Sequence, residues 1–211
     1  MILPSGRPVD RSKDKAILVA ARAILLQDGA SALTMEAVAS KAAVSKATLY
    51  SRYSNRNELI EAVLRAQSDF FVESLSVSVD NREQWFAAAE SFSLRLLDYL
   101  FSDDHICLLR TLQSHEAMPA ELRERIYELG PLATCQQVEA FLAHSHRVGI
   151  IDCPDPAFSA ECLFGMLVGM DMMRNLFQQA AKRRPENMAA HINRVLHKFL
   201  QMHAPCLVTP A

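Results

Sequence analysis

The segment 44–53, Val-Ser-Lys-Ala-Thr-Leu-Tyr-Ser-Arg-Tyr, decides how this chain folds. Ser45 is a natural N-cap, and Leu49 and Tyr53 stand four residues apart, which predicts a short helix that buries these two side chains. The opposite surface then carries small or hydrogen-bonding side chains and one cation: Ser45, Lys46, Ala47, Thr48 and Ser51. Such a surface suits the major groove of DNA, where small residues permit close approach and Lys or Thr can reach base edges or phosphates.

Further helices are predicted on both sides of this segment, and the one that follows it is long. A first helix is indicated by apolar residues at helical spacing, namely Ile17, Ala20, Ala21, Ile24 and Leu25. Thr34 is a natural N-cap for a second helix, and Asn55 with Glu58 forms a capping-box pattern that opens a fourth. A brief turn at Ala43 and Val44 precedes the third helix. Three short helices joined in this way are the plan of a helix-turn-helix.

The same segment resembles the DNA-binding signature of the TetR family of transcriptional regulators. The resemblance is carried by three stretches: Thr-Met-Glu-Ala-Val-Ala at 34–39, Ala-Val-Ser-Lys-Ala-Thr-Leu-Tyr at 43–50, and Tyr-Ser-Asn-Arg-Asn-Glu-Leu at 53–59. The sequence departs from the family pattern at Ala43 and Ala47, where glycine is usual, and at Tyr53 and Arg56, where Phe and Lys are commoner.

This resemblance implies a set of DNA-facing residues. Thr34, Tyr50 and Arg56 match positions that usually touch phosphates, and Ser45, Lys46, Ala47 and Thr48 match the recognition helix. Arg7, in the segment before the first helix, is a candidate for the minor groove, as in other basic arms. The resemblance also implies a homodimer on double-stranded operator DNA with an inverted repeat, and repression as the usual mode of action.

The charge distribution supports contact with a polyanion at one end of the chain only. Residues 1–66 carry a net charge of +4 and the remainder a net charge of −6, which gives the net −2 of the chain. A helix-turn-helix pattern also occurs in proteins that do not bind DNA, so a helical ligand-binding module without DNA binding is the rival interpretation. The positive net charge of residues 1–66 argues against a module that does not bind DNA.

Composition predicts an all-α protein. Half of the residues are apolar, aromatic residues are only 7%, and there are six glycines; helix-forming Ala, Leu and Met are prominent. We predict a flexible basic arm at 1–11, a helix-turn-helix DNA-binding domain at 12–56, and a helical effector-binding and dimerisation domain at 57–205. The last domain follows from the family resemblance and from helical patterning that continues beyond residue 80.

The C-terminal region has large or adaptable apolar side chains that suit a small hydrophobic effector. The predicted pocket residues are Phe70, Trp85, Phe86, Phe141, Met166 and Met170. An ordinary packed core is the alternative for any one of them. We predict that such a ligand releases the protein from its operator.

Two helices near the C-terminus are the predicted subunit interface, which would form a four-helix bundle in a homodimer, as the resemblance implies. One is expected at about 157–182, with Gly165 and Gly169 on one face. The other has apolar residues at helical spacing. The predicted interface residues are Gly165, Gly169, Ile192, Val195, Leu196 and Phe199.

The remaining sequence features favour a cytoplasmic protein that is not an enzyme. Five cysteines without a CxxC pair fit free thiols in a reducing compartment. The N-terminus has no apolar signal segment, and apolar stretches such as 162–170 are too short to span a bilayer. No metal-ligand spacing, phosphate-binding loop or nucleophile motif is present, so we predict no catalytic residues, no metal and no cofactor.

Overall fold

The structure is a computed structural model that describes residues 11–76, 78–103, 105–106, 120–179 and 185–205. The regular elements in these ranges are all helical, which confirms the predicted all-α class. Residues 1–10, with Arg7, lie outside the described residues. The chain divides into two compact units, Met1–Arg65 with Cys107–Arg125, and Ala66–Ile106 with Ile126–Ala211.

The first unit is built from short helices with side-chain caps. Its helices are α1 (Arg11–Gln27), α2 (Met35–Lys41), α3 (Lys46–Tyr50) and the first part of α4 (Arg56–Val72), with a 3₁₀ turn at Ala30–Ala32. Thr34 accepts a hydrogen bond from the Ala37 amide at 3.1 Å, and Ser45 accepts one from the Thr48 amide at 3.1 Å. These bonds satisfy amides that a helix start leaves without partners. The caps therefore place the starts of α2 and α3 where the sequence predicts them.

The start of α4 is capped slightly differently from the prediction. The side chain of Asn55 accepts from the Glu58 amide at 3.0 Å, as a capping box requires. The Glu58 carboxylate, however, reaches back to Ser54, whose amide donates to it at 2.7 Å and whose hydroxyl donates at 2.5 Å. These two bonds hold the pKa of Glu58 below its ordinary value. Since α4 continues through residues 57 to 72 without a break, the domain boundary at 56/57 stays a prediction.

The turn between α2 and α3 contains a strained alanine. Ala43 adopts φ 52°, in the left-handed region that favours glycine. It permits the Val44 amide to donate to the Ala39 carbonyl at 3.0 Å, which closes the end of α2. Ala43 therefore adopts a backbone conformation in which glycine would be less strained.

Replacing Ala43 by glycine is expected to stabilise the protein. A left-handed alanine costs roughly 1–2 kcal/mol, and the greater freedom of glycine in the unfolded chain offsets part of the relief, so the net gain is about 0.5–1 kcal/mol. Urea unfolding followed by circular dichroism measures it. Ala42 is the matched control, because its φ of −80° is ordinary and Ala42→Gly lowers stability by about 0.5–1 kcal/mol. If Ala43→Gly and Ala42→Gly lower the free energy of unfolding equally, Ala43 is not strained.

The second unit has one apolar core. Its helices are the remainder of α4, α5 (Arg82–Leu100), α6 (Ala120–Tyr127, of which Ile126 and Tyr127 belong here), α7 (Ala133–Arg147), α8 (Pro156–Val168), α9 (Asp171–Leu176) and α10 (Pro185–Met202). Helices α5, α7, α8 and α10 contribute most of the buried side chains. At the centre, the Trp85 ring stacks against Phe141 at 5.7 Å and Phe199 at 6.0 Å between centroids. Aromatic stacking thus joins α5, α7 and α10.

A π-helical segment, Glu128–Leu132, joins α6 to α7 and includes Pro131. Proline has no amide hydrogen to donate, and the wider π turn accommodates it within the helix. The buried Ser68 hydroxyl of α4 donates to the Leu129 carbonyl at 2.8 Å, and Thr134 donates to the Gly130 carbonyl at 2.9 Å. The Ser68 bond attaches the second half of α4 to the π segment, and the Thr134 bond attaches the start of α7 to it.

Candidate nucleic-acid interface

The recognition helix α3 exposes most of the side chains that the sequence predicts to face DNA. Lys46 and Ala47 are exposed, while Leu49 is fully buried beneath them. Ser45 is exposed and its hydroxyl lies 2.8 Å from that of Thr48, which is half-buried. Tyr53 is only half-buried, so Leu49 alone anchors the helix fully in the core. The surface at α3 therefore carries small side chains, two hydroxyl groups and one ammonium group.

The three residues predicted to touch phosphates lie at helix ends in the same unit. Thr34 is the exposed N-cap of α2, and Tyr50 is the last residue of α3, with its ring 47% exposed. Arg56 begins α4 and is half-buried. Their assignment to DNA stays a prediction.

Sequence reasoning missed one residue at this surface, Glu36. The Lys46 ammonium of α3 donates to the Glu36 carboxylate of α2, with 3.0 Å between Nζ and Oε1. This hydrogen bond and the positive charge of Lys46 hold the pKa of Glu36 below its ordinary value. The two residues are ten positions apart, so no helical spacing connects them. The pair forms because α2 and α3 pack together.

The residues of the predicted effector pocket differ in how far the chain buries them. Trp85 and Phe141 are buried and stacked in the core, and Phe86 is half-buried with its ring against His197 at 4.8 Å. Met166 is partly buried against the same core. Phe70 and Met170, by contrast, are 52% and 59% exposed. That these six residues line one pocket therefore stays a prediction, and Phe70 and Met170 are the two of them that the chain leaves largely exposed.

An open apolar groove lies on the first unit. It has a volume of about 310 Å³ and is lined by Ala16, Val19, Ala20, Ala23, Lys41 and Ala42 of α1 and α2. Val19 in this groove is 60% exposed. The groove lies on the helix-turn-helix and not among the predicted effector residues.

Four of the predicted interface residues lie inside the subunit. Ile192, Val195, Leu196 and Phe199 of α10 are buried at 0%, 8%, 0% and 0% exposure by the chain's own core. Side chains covered within one subunit cannot also cover a partner, so this part of the interface prediction is wrong. The helical spacing identified a buried face of α10 correctly but could not tell which surface buries it.

The helix predicted to carry both glycines ends earlier than expected, and the assignment of the two glycines to an interface stays a prediction. Gly165 is exposed on α8, and a Cβ placed there meets nothing within 4 Å. Gly169 has φ 51° and ends α8 as its C-cap, so the single helix expected at about 157–182 is instead two helices. Around them lie large exposed apolar side chains: Phe158, Met170, Met173 and Phe177.

The described ranges contain no candidate of two other kinds of site, a metal centre and a membrane-spanning helix. Within those ranges, no group of three or more His, Cys, Asp or Glu is arranged to hold a metal ion. No helix among the same residues is long and apolar enough to cross a membrane.

Two family models match this chain. The model described as bacterial regulatory proteins, tetR family, matches residues 17–63, which contain α2, α3 and the start of α4. The model described as AefR-like transcriptional repressor, C-terminal domain, matches residues 89–205, more than half of the chain.

Individual relatives agree with these models. The HTH-type transcriptional regulator YdeS of Bacillus subtilis (strain 168) is 47% identical over 55 residues, which are 26% of this chain and 28% of YdeS. The curated relatives are thus matched over about a third of their length or less. A TetR-family regulator from Mesorhizobium loti MAFF303099 superposes with a TM-score of 0.69 at 22% identity, over 93% of this chain and 99% of that one. The flavonoid-responsive regulator FrrA superposes with a TM-score of 0.63 at 23% identity, over 91% and 96%.

Proposed function

The chain belongs to the TetR family of bacterial transcriptional regulators, and we propose that it represses transcription by binding an inverted-repeat operator as a homodimer. The observation that carries the proposal is the recognition helix α3, which buries Leu49 and exposes Ser45, Lys46 and Ala47. The rival interpretation, a helical module that binds ligand without DNA, leaves this capped and exposed surface without a role.

The DNA contacts we propose follow the exposed surface of the first unit. Ser45, Lys46, Ala47 and Thr48 enter the major groove, and Thr34, Tyr50 and Arg56 contact the phosphates on either side, with Arg7 in the minor groove. Hydroxyl and ammonium groups donate to phosphate oxygens, and Ala47 lets the helix approach the bases closely.

We assign the dimer interface to the exposed apolar surface of α8 and α9. Phe158 and Gly165 lie seven residues apart, two helical turns, and share one side of α8. Met173 and Phe177, on α9 and its end, are 45% and 66% exposed. Large apolar side chains exposed together commonly mark an interface between subunits. The bundle of two helices from each subunit is retained, but with α8 and α9 turned toward the partner and the apolar face of α10 turned inward.

The effector we propose is a small, largely apolar molecule bound in the second unit. Support comes from the aromatic core around Trp85 and from its partly buried edge, where Phe86 and Met166 lie. FrrA, a structural relative, is a flavonoid-responsive regulator by its name, and TetR-family regulators commonly bind small ligands. A ligand that prefers the conformation unable to bind the operator releases DNA, and a coupling of about 1–3 kcal/mol gives 5- to 150-fold release.

Helix α4 is the covalent connection along which such a coupling runs, because it belongs to both units. Its second half is attached to the π segment through Ser68. We expect Ser68→Ala to lower the free energy of unfolding by about 1–2 kcal/mol, since the Leu129 carbonyl loses a buried partner. Urea unfolding measures the loss, and operator affinity is measured in parallel.

Ser93 is the matched control for Ser68. It is also buried, but among the described residues its hydroxyl bonds only to the Ala89 carbonyl of its own helix, at 2.7 Å. Ser93→Ala is expected to change stability by no more than about 0.5 kcal/mol. If both variants lose the same stability, the contact between α4 and the π segment has no special importance.

Selection of bound duplexes from a random-sequence library tests the proposed function. We expect the purified protein to enrich an inverted repeat, with half-sites one helical turn or somewhat more apart. Sedimentation of the complex should give two chains per duplex. Recovery of random sequence without any inverted repeat would contradict the proposal and favour the module without DNA binding.

A further inference from the structure

We infer that Glu36 determines specificity: it holds Lys46 for a contact with base edges and weakens the attraction of Lys46 to phosphate. This rests on the DNA binding proposed above and goes beyond it, because Lys46 could otherwise contact either a base or a phosphate. Glu36 also places a negative charge on a surface that meets a polyanion.

Glu36 is the second residue of α2 and Lys46 the first residue of α3, and their side chains meet at 3.0 Å. Both are largely in solvent, with 57% and 62% of the side chains exposed. The pair therefore lies on the same exposed surface as the recognition helix, within reach of whatever α3 contacts.

Electrostatics then distinguishes two kinds of DNA contact. A phosphate that approaches Lys46 also meets the Glu36 carboxylate, and the pair has no net charge to offer it. Sequence-independent binding depends on how many phosphates are neutralised by cations, so Glu36 removes about one from that number. The acceptors on a guanine edge, O6 and N7, are uncharged dipoles and are repelled much less.

The ammonium group keeps enough donors for a base contact. It has three N–H bonds, one of which points to Glu36, so two remain for O6 and N7 of one guanine. Glu36 in this way limits the directions that Lys46 explores. Exposed ion pairs add little to stability, so the effect of Glu36 lies in DNA selectivity and not in folding.

Glu36→Gln is the main test, because the amide keeps the size and an acceptor oxygen but loses the charge. Two duplexes of equal length are compared by fluorescence anisotropy over a salt series: the inverted repeat selected by the wild-type protein, and a random sequence. The variants are Glu36→Gln, Lys46→Ala, the double variant, and Asp98→Asn. Asp98 is exposed on α5 of the second unit and serves as a matched loss of one negative charge.

We expect Glu36→Gln to raise affinity for the random duplex about threefold, to steepen its salt slope by about one unit, and to reduce selectivity for the inverted repeat by at least that factor. Lys46→Ala alone should weaken the inverted repeat about tenfold, a typical base-contact effect, and the random duplex less than twofold. In the double variant, random binding returns to the wild-type value, since the freed cation is gone.

Three outcomes overturn the inference. Lys46→Ala weakening both duplexes equally would make Lys46 a phosphate contact. Asp98→Asn matching Glu36→Gln would show an effect of net charge only. Unchanged selectivity in Glu36→Gln, with a wild-type protein that does select an inverted repeat, overturns the role of Glu36 and leaves the proposed function intact. Failure of the wild-type protein to select any repeat would instead refute the proposed function itself.

Discussion

Gly165→Leu is expected to yield folded monomers that bind operator DNA weakly. Within the subunit a Cβ at the exposed Gly165 meets nothing within 4 Å, and leucine favours a helix over glycine by roughly 1 kcal/mol. The isolated subunit is therefore as stable as before or more so. In a two-fold symmetric dimer the same substitution occurs twice at one interface, so any overpacking is doubled.

The expected effect on association is large. Overpacking of a well-packed contact costs about 1–3 kcal/mol per site, so two sites raise the dissociation constant of the dimer between roughly 30-fold and 10⁴-fold. Analytical ultracentrifugation from nanomolar to micromolar concentration measures this constant, and circular dichroism confirms that the subunit is folded. Operator affinity should fall in parallel, because a monomer reaches only one half-site.

Ala87→Leu is the control for the glycine substitution. Ala87 is exposed on α5, a helix outside the proposed interface, and leucine there adds similar bulk to a helix surface. We expect an unchanged dimer. If Gly165→Leu sediments as an intact dimer at the same concentrations as the wild type, the interface lies elsewhere on the subunit.

Trp85→Ala is expected to be the most destabilising single substitution among those proposed for the second unit. Trp85 is fully buried between the rings of Phe141 and Phe199, and removing such a side chain leaves a cavity in the core. Large aromatic to alanine changes of this kind cost about 3–5 kcal/mol. Urea unfolding by circular dichroism is the measurement, at a fixed protein concentration because the proposed dimerisation would contribute to stability.

Phe86 next to it provides the comparison. It is half-buried and contacts the exposed His197 ring at 4.8 Å, so Phe86→Ala should cost about 1 kcal/mol. Similar losses for the two variants would mean that the Trp85 ring is not the centre of the core. If the dependence of the unfolding free energy on urea concentration becomes markedly steeper in Trp85→Ala, the unfolded or native ensemble has changed as well.

The sequence by itself determined the features that depend on near neighbours in the chain. The starts of α2 and α3 follow from Thr34 and Ser45, whose side chains cap amides three residues ahead. Leu49 is buried as its helical position predicts. The helix-turn-helix was identifiable for the same reason, because its signals lie within about 25 consecutive residues. The family was identifiable because the residue types and their order in that stretch resemble the family's signature.

The tertiary structure decided which surface covers each apolar face. The apolar residues of α10 from Ile192 to Phe199 repeat at helical spacing, and this pattern fits a face that packs inside the subunit as well as one that packs against a partner. Packing of α10 against α5 and α8 shows that the face lies inside the subunit. Phe70 and Met170 look like core residues by type and yet are exposed. Gly169 ends a helix because its backbone takes a positive φ, which its neighbours in sequence do not dictate.

The Glu36–Lys46 pair shows the same limit within the DNA-binding region itself. Capping and burial there are set over three or four residues, while this contact joins two helices across ten. A carboxylate and an ammonium group meet only once the turn at Ala43 has set the angle between α2 and α3. Local patterns therefore predicted the helices and their caps, whereas charge pairing and the choice of covered faces depended on how distant segments pack, which periodicity does not encode.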